Sequence, residues 1–322
     1  MRLLVTGVAG FVGRHLLGFL REEHPEVEVI GVVRSRAEAD GLAPEVALRI
    51  ADLTQADAVA AALEGPAPDR VIHLAAQSSP TLSWTDPTAT FQSNVLGLVH
   101  LLEAIRRRGL KPRVLVVGSS EEYGRAEPRE MPLREEATLR PASPYAASKV
   151  AQGYVALQYG LGHGMPILRT RTFHHTGPGR ADTFAESSFA RQLTEIESGR
   201  RPPRVDVGNL DAVRDYTDVR DVVRAYWALL ETGWPPEVYN VASGRGIRIG
   251  DLLQRLIRLC GVDVELHADP SRLRPVDLPI LVGDSSKLRA ATGWSPRLDL
   301  DQTLLDLLAD WRRKTAPADP VR

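Results

Sequence analysis

Several residue types are scarce in this chain of 322 residues. It holds one cysteine, three methionines and four lysines, and its net charge is −1. The lone Cys260 rules out an internal disulfide and a cysteine metal cluster. Its place in the apolar stretch Leu253 to Val262 reads as a small buried hydrophobe. A charge near zero gives no electrostatic case for nucleic acid or an anionic membrane, so a bound anion has to be held by local arginines or backbone amides. No apolar run reaches the roughly 18 residues that suggest a bilayer crossing. The N-terminus opens on an apolar strand without the charged-then-apolar layout of a secretory signal, so a cytoplasmic protein is expected. No histidine spacing suggests a metal site.

What is present is ordinary for a soluble globular protein: 43% hydrophobic and 25% charged residues. The length suits one large domain or a domain with a substrate lobe. The stretch that organises the chain is Ser143-Pro-Tyr-Ala-Ala-Ser-Lys149. At a helix start it puts Tyr145 and Lys149 four residues apart, hence on one helix face. A neighbouring cation favours an ionised phenol and lowers its pKa from about 10. Such a tyrosine can give or take a proton near neutrality.

The rest of the chain supplies a setting. A short strand, Leu3 to Thr6, runs into Gly7-Val-Ala-Gly10-Phe11-Val12-Gly13 and a helical stretch to about Glu23. Glycines between a strand and a helix let backbone amides approach a pyrophosphate. The second strand, Val27 to Val33, ends in Arg34-Ser-Arg36 where an acid would take a ribose 2′-hydroxyl. Arginines suit a 2′-phosphate, so NADP(H) is expected ahead of NAD(H). Val46 to Ile50 is a third strand, with Asp52 and Leu53 placed for the adenine. Arg70 to Leu74 is a fourth, followed by the small Ala75 and Ala76 and then Gln77 and Ser78. After a helical segment over Thr88 to Arg108, the strand Val114 to Val117 leads to Gly118-Ser119-Ser120-Glu121-Glu122-Tyr123. Hydroxyls and a carboxylate at the carboxyl end of a strand lie where an open α/β sheet places its chemistry. The Tyr145 helix runs to about Tyr159, and Met165 to Arg171 is another strand.

This alternation predicts an α/β fold, a Rossmann-type doubly wound parallel sheet with a smaller α/β C-terminal substrate lobe. Residues 1–171 are expected to form the dinucleotide domain, with return segments from about 215–242, and 172–322 mainly the lobe. In the second half, Thr172 to Gly179 reads as a loop carrying His174 and His175. Gly208 to Tyr216 reads as a polar segment, and helices are expected over Asp218 to Leu230, Gly250 to Cys260 and Asp301 to Arg312.

Gly7-x-x-Gly10-x-x-Gly13, Leu74-Ala-Ala76, Ser119 and Tyr145-x-x-x-Lys149, in that order, resemble the extended short-chain dehydrogenases: sugar-nucleotide epimerases, dehydratases and reductases. The resemblance spans nearly the whole chain. It implies that Tyr145 is the acid/base, that Lys149 binds the nicotinamide ribose and lowers the tyrosine pKa, and that Ser119 bonds the reacting oxygen. It also implies a homodimer built through a four-helix bundle of the Thr88–Arg108 and Ser143–Tyr159 helices. Leu74-Ala-Ala-Gln-Ser78, Gly208-Asn-Leu-Asp-Ala212, Arg214-Asp215 and Gly293-Trp294-Ser-Pro296 are similar to the branch that acts on GDP-mannose and its derivatives. There one enzyme makes a 4-keto-6-deoxy sugar by dehydration and another reduces that ketone. Gly118-Ser-Ser-Glu-Glu-Tyr123 and His174-His-Thr-Gly-Pro178 stand closer to the reductase, whereas Glu121 stands where the dehydratase has a working glutamate. A dehydratase or bifunctional enzyme therefore remains the alternative, with a non-catalytic nucleotide sensor third. A GDP-sugar is the expected partner. Arg214 and Arg274 are candidates for its diphosphate, Asn209 for its base, and Gln77, Ser78, Glu121 and His174 for its sugar.

Overall fold

The computed structural model describes residues 1–273 and 276–316. The first half alternates strands and helices: β1 (Arg2–Thr6), α1 (Phe11–Glu23), β2 (Glu28–Val33), β3 (Ala47–Ile50), α2 (Ala56–Ala62), β4 (Arg70–His73), α3 (Pro80–Thr85), α4 (Pro87–Phe91), α5 (Gly97–Arg107), β5 (Arg113–Ser119), α6 (Pro144–His163) and β6 (Ile167–Thr172). The second half adds β7 (His174–Thr176), α7 (Ala185–Glu197), β8 (Arg204–Val207), β9 (Val213–Asp218), α8 (Val219–Thr232), β10 (Val238–Val241), β11 (Gly246–Arg248), α9 (Ile249–Cys260), β12 (Glu265–Ala268), β13 (Ile280–Leu281), α10 (Ser286–Thr292) and α11 (Leu300–Thr315).

Seven strands form one parallel sheet in the order β3-β2-β1-β4-β5-β6-β10. The order reverses beside β1, and the crevice at the carboxyl ends there is where such sheets take ligands. Strands buried on both faces read as continuous apolar runs, as in Leu3-Leu-Val and Val114-Leu-Val-Val117. One core layer joins the sheet to α1 and α8 through Leu16, Leu20, Val222, Tyr226 and Trp227. The other joins it to α2, α5 and α6 through Val59, Leu98, Leu102, Ile105 and Ala156. Thus α8 and β10, from the second half, complete the first layer set. Helices α7, α9 and α11 build a separate core around Phe189, Leu193, Leu252, Leu256, Leu304 and Leu308.

Two expectations change. The single helix expected over Thr88 to Arg108 is α4, a π-helical turn at Gln92–Leu96, and α5. The loop expected over Thr172 to Gly179 contains β7, which pairs with β9 in a second sheet, β11-β9-β13.

Candidate active site

The glycine turn is built for a phosphate-bearing ligand. Gly7 has φ 72°, and a Cβ there would lie 2.8 Å from the Ala75 nitrogen, so the turn after β1 closes tightly on the turn after β4. Ala75 donates to Thr6 Oγ1 at 3.3 Å, which pins that approach. A Cβ at Gly13 would lie 2.3 Å from the Val8 carbonyl oxygen. Helix α1 starts at Gly10 with no side-chain cap and no acid in its first turn. Its N–H groups and positive dipole end are therefore available to a pyrophosphate. These features fit a dinucleotide, with Gly7, Gly10, Phe11, Val12 and Gly13 around it and Leu74, Ala75 and Ala76 facing them across the crevice.

At the adenine end the structure qualifies the sequence reading. Arg34 does end β2, but Glu38 in the following 3₁₀ turn folds back onto it. Arg34 Nε and its backbone N–H donate to the two Glu38 oxygens at 2.7 and 2.9 Å. The arginine meant for a 2′-phosphate thus already holds a carboxylate. Arg36 begins the 3₁₀ turn and is exposed. Asp52 accepts from Thr54 N–H and Oγ1 at 2.9 and 2.8 Å, which holds its carboxyl below the usual range. The Leu53 side chain is buried, and its carbonyl meets His100 Nδ1 at 2.8 Å.

The chemistry-bearing residues converge at the ends of β5 and α6. Ser143 caps α6 by accepting the Ala146 N–H at 3.1 Å, and Pro144 fills the first helical position. Tyr145 and Lys149 follow one turn apart, 8% and 4% exposed. The Tyr145 phenol lies beside the Ser119 hydroxyl and near the charge of Glu121. Ser119 itself accepts the Glu121 N–H at 3.2 Å as the cap of the 3₁₀ turn Ser120–Tyr123.

Burial is the main influence on the phenol and raises its pKa above the ordinary value, against the neighbouring Ser119 hydroxyl. That corrects the expectation of a phenol lowered by Lys149. Desolvation there outweighs nearby positive charge. Lys149 Nζ donates to the Val117 carbonyl and to Gln152 Oε1, both at 2.7 Å. An ammonium has three donors, so one remains for a ribose hydroxyl. His73, behind it on β4, meets Thr6 Oγ1 at 2.8 Å and is lowered to about 3 by burial and then by Lys149, so it is neutral.

A second tier, not read from the sequence, holds these groups. Asn94 in the π turn accepts the Gln77 N–H at 2.7 Å and donates to the Gln77 carbonyl and to Ser148 Oγ at 3.1 and 2.9 Å. Ser148 in turn donates to the Tyr145 carbonyl at 2.7 Å. The extra residue of a π turn aims Asn94 inward, a usual role for such turns. The Gln77 side chain is spent on its own loop, donating to Ser79 O and Thr90 Oγ1, while Ser78 is exposed.

Arg180 was also missed. Its guanidinium lies 3.4 Å from the centre of the Phe184 ring and 5.1 Å from that of Phe11, and its Nε is 3.5 Å from Glu186. Its positive charge acts on Tyr145 and tends to lower the phenol. His175 stacks on Phe11 at 6.1 Å, and burial lowers it to about 4. His174 meets Tyr216 edge-on at 5.7 Å.

The remaining candidates lie in the lobe. Arg214 is buried on β9, donates to Asp277 at 2.9 Å, and shares that carboxylate with Asn209 at 2.5 Å. Arg274 lies outside the described residues. The structure therefore brings the glycine turn, Leu74 to Ala76, Ser119, Glu121, Tyr145 and Lys149 to one crevice. Asn209 and Arg214 belong to a separate cluster in the lobe.

Known proteins match this arrangement over nearly its whole length. The family described as GDP-mannose 4,6 dehydratase matches residues 4–307. GDP-6-deoxy-D-mannose reductase of Pseudomonas aeruginosa is 36% identical over 97% of this chain and 98% of its own. GDP-mannose 4,6-dehydratase of Yersinia enterocolitica is 26% identical over 96% of this chain and 93% of its own. Among solved structures, RMD from Pseudomonas aeruginosa complexed with NADPH superposes with a TM-score of 0.88 at 35% identity, covering 98% of this chain and 99% of that one. UDP-glucose 4-epimerase of Thermus thermophilus with NAD gives 0.86 at 28% identity, covering 97% and 99%. With its Rossmann-type sheet, its glycine turn and its buried Ser119–Tyr145–Lys149 set, the chain belongs to the GDP-mannose 4,6-dehydratase family of extended short-chain dehydrogenases.

Proposed function

We propose that this protein reduces the C4 ketone of GDP-4-keto-6-deoxy-D-mannose to the alcohol of GDP-D-rhamnose, using NADPH or NADH. The observation that carries the reading is the buried phenol of Tyr145 beside the Ser119 hydroxyl, one helical turn from Lys149, in a crevice whose glycine turn fits a dinucleotide. The choice of sugar is supported by the 36% identity to a GDP-6-deoxy-D-mannose reductase. NADPH, when bound, supplies the hydride that reaches C4.

The chain's own groups do the rest. Ser119 and Tyr145 donate hydrogen bonds to the ketone oxygen, and they strengthen as negative charge grows there. Tyr145 then passes its proton to that oxygen, so the product leaves as an alcohol. Burial favours the protonated phenol, the form an acid needs. Lys149 holds the ribose and stabilises the tyrosinate left behind. The glycine turn carries the pyrophosphate, Asp52 and Leu53 the adenine, and Arg34 and Arg36 a 2′-phosphate. Ser78, Glu121 and His174 line the sugar, and Gln77, its side chain bonded to Ser79 and Thr90, shapes the loop beside it. Arg214, Asn209 and Arg274 take the diphosphate and base, with Asp277 orienting the first two. Arginine forks suit phosphate oxygens.

Glu121 supports a second reading. Its buried carboxylate beside Tyr145 is positioned for proton work at a neighbouring sugar carbon, as a dehydratase requires. We further propose a cytoplasmic homodimer without nucleic-acid or membrane partners. No helix among the described residues is long and apolar enough to cross a membrane.

Replacing Tyr145 with Phe removes the donor and keeps the ring. Turnover should fall by roughly 10²–10⁴-fold, the usual worth of a general acid, while NADPH still binds. Unchanged turnover would overturn the assignment of Tyr145.

A further inference from the structure

Behind the crevice the chain buries a pair of charges that the reduction does not directly use. The Glu122 carboxylate accepts the Ser119 N–H at 2.8 Å through Oε1 and the Arg171 Nε–H at 3.0 Å through Oε2. Their side chains are 5% and 9% exposed. Room is made for them by Gly118, where a Cβ would stand 2.3 Å from Glu122 Oε1. Apolar residues of similar volume commonly serve stability as well as or better than a buried ion pair. Stability alone therefore does not account for this one.

A small cavity adjoins the pair and reaches Gln152, the partner of Lys149. Gly118, Glu122, Gln152, Arg169, Thr170 and Arg171 are among its lining residues, and it offers ≈ 10 Å³ to the centre of a water molecule, enough for about one. Gln152 Oε1 accepts from Lys149, so its Nε2 points the other way. That Nε2 and Arg169 Nε are buried donors with no partner among the described residues. A single water can accept from both and donate to Glu122 and to the Thr170 carbonyl. Such a water would complete a line from Lys149 through Gln152 to Glu122.

We propose that Glu122 is a positioning residue for the reaction: through Gln152 and one buried water it keeps the Lys149 ammonium charged, and so sets the pH above which the Tyr145–Lys149 pair stops delivering its proton. Burial pulls Lys149 below its ordinary value, and the charge of Glu122 opposes that fall. Burial raises Glu122 itself, and Arg171 counters the rise. The other titratable or charged groups around these residues are Tyr145 on α6, on which Glu121 and Arg180 act, Tyr123 of the 3₁₀ turn bonded to Arg171, neutral His73 on β4, and Arg169 on β6. The π turn contributes only the uncharged Asn94. Removing the negative charge at Glu122 lowers both the ammonium and the phenol, so the alkaline limb of turnover moves down in pH.

The test rests on the reductase reading, and two readouts separate the failures. For Glu122→Gln, which keeps the acceptor to Ser119, the alkaline limb of kcat with keto sugar and NADPH should fall by about one pH unit, the low end for a neighbouring charge. Without substrate, the Tyr145-dependent tyrosinate absorbance of the NADP-loaded protein (each form minus its Tyr145→Phe partner) should shift the same way. If wild type does not turn over the keto sugar, the reductase reading fails and the absorbance shift still decides the role of Glu122. A limb and an absorbance that stay in place, or move up, in a variant that still binds NADPH would overturn the proposal. Should Glu122→Gln no longer bind NADPH, Gln152→Glu decides: the added carboxylate at the same ammonium should move the limb up, and an unmoved limb overturns it.

Discussion

At the scale of residues, charge and burial compete, and the winner differs from site to site. For Tyr145 burial wins, so the phenol is held in its protonated form. For Arg34 the decisive neighbour is Glu38, an exposed pair at 2.7 Å. Such pairs are worth about 0–1 kcal/mol, so a 2′-phosphate can displace the carboxylate but meets its repulsion. Replacing Arg34 and Arg36 with Ala should weaken NADPH more than NADH in fluorescence titrations, and Glu38→Gln should strengthen NADPH by up to about fivefold. Equal changes for both cofactors would contradict a 2′-phosphate role. The arginines were legible in the sequence because they follow an apolar strand. Glu38 was not, because its return to the strand end depends on a 3₁₀ turn that carries no apolar pattern.

At the scale of elements, legibility follows apolar pattern. Strands β1, β4, β5 and β10 and helices α8 and α9 were readable from runs and periods of Leu, Ile and Val. Helix α7 was not, because its buried face is mostly polar: Glu186, Ser187, Ser188, Gln192 and Thr194 lie inside it beside Phe189, Ala190 and Leu193. Strand β9 is similar, with Arg214, Asp215, Thr217 and Asp218 all buried. Asp215 alone accepts the N–H groups of Ser243, Gly244 and Gly283. Such residues read as loop until their partners, 28 to 68 positions away, are known. The π turn was hidden for the same reason, since Asn94 finds Gln77 only in space. That helical stretch has an outer face as well. Phe91 and Leu96 are 38% and 47% exposed and line a shallow apolar groove with Pro87 and Val95, while Tyr154 on α6 is 59% exposed. An apolar face of this kind fits the helix-bundle dimer. Phe91→Glu with Leu96→Glu should convert a dimer to a monomer in sedimentation equilibrium, and a wild type that sediments as a monomer would rule the dimer out.

At the scale of the molecule, one sheet organises everything. The first half of the chain lays down six of its strands, and α8 and β10 return from the second half to complete it. The return ties the lobe to the crevice: His15 on α1 meets the Pro178 carbonyl at 2.7 Å, and Gly179 donates to Asp310 on α11 at 2.8 Å. Under the proposed function, a sugar nucleotide held by the lobe is thereby presented to groups at the strand ends. Glu121 is the residue that leaves two chemistries within reach of that geometry. The most direct measurement is a paired incubation of the purified protein, one arm with GDP-4-keto-6-deoxy-D-mannose and NADPH, the other with GDP-mannose and NADP. Loss of NADPH absorbance with formation of GDP-rhamnose in the first arm, and an unchanged second arm, is the expected result. No NADPH consumed in the first arm, with GDP-mannose converted in the second, would contradict the reductase and make the protein a dehydratase.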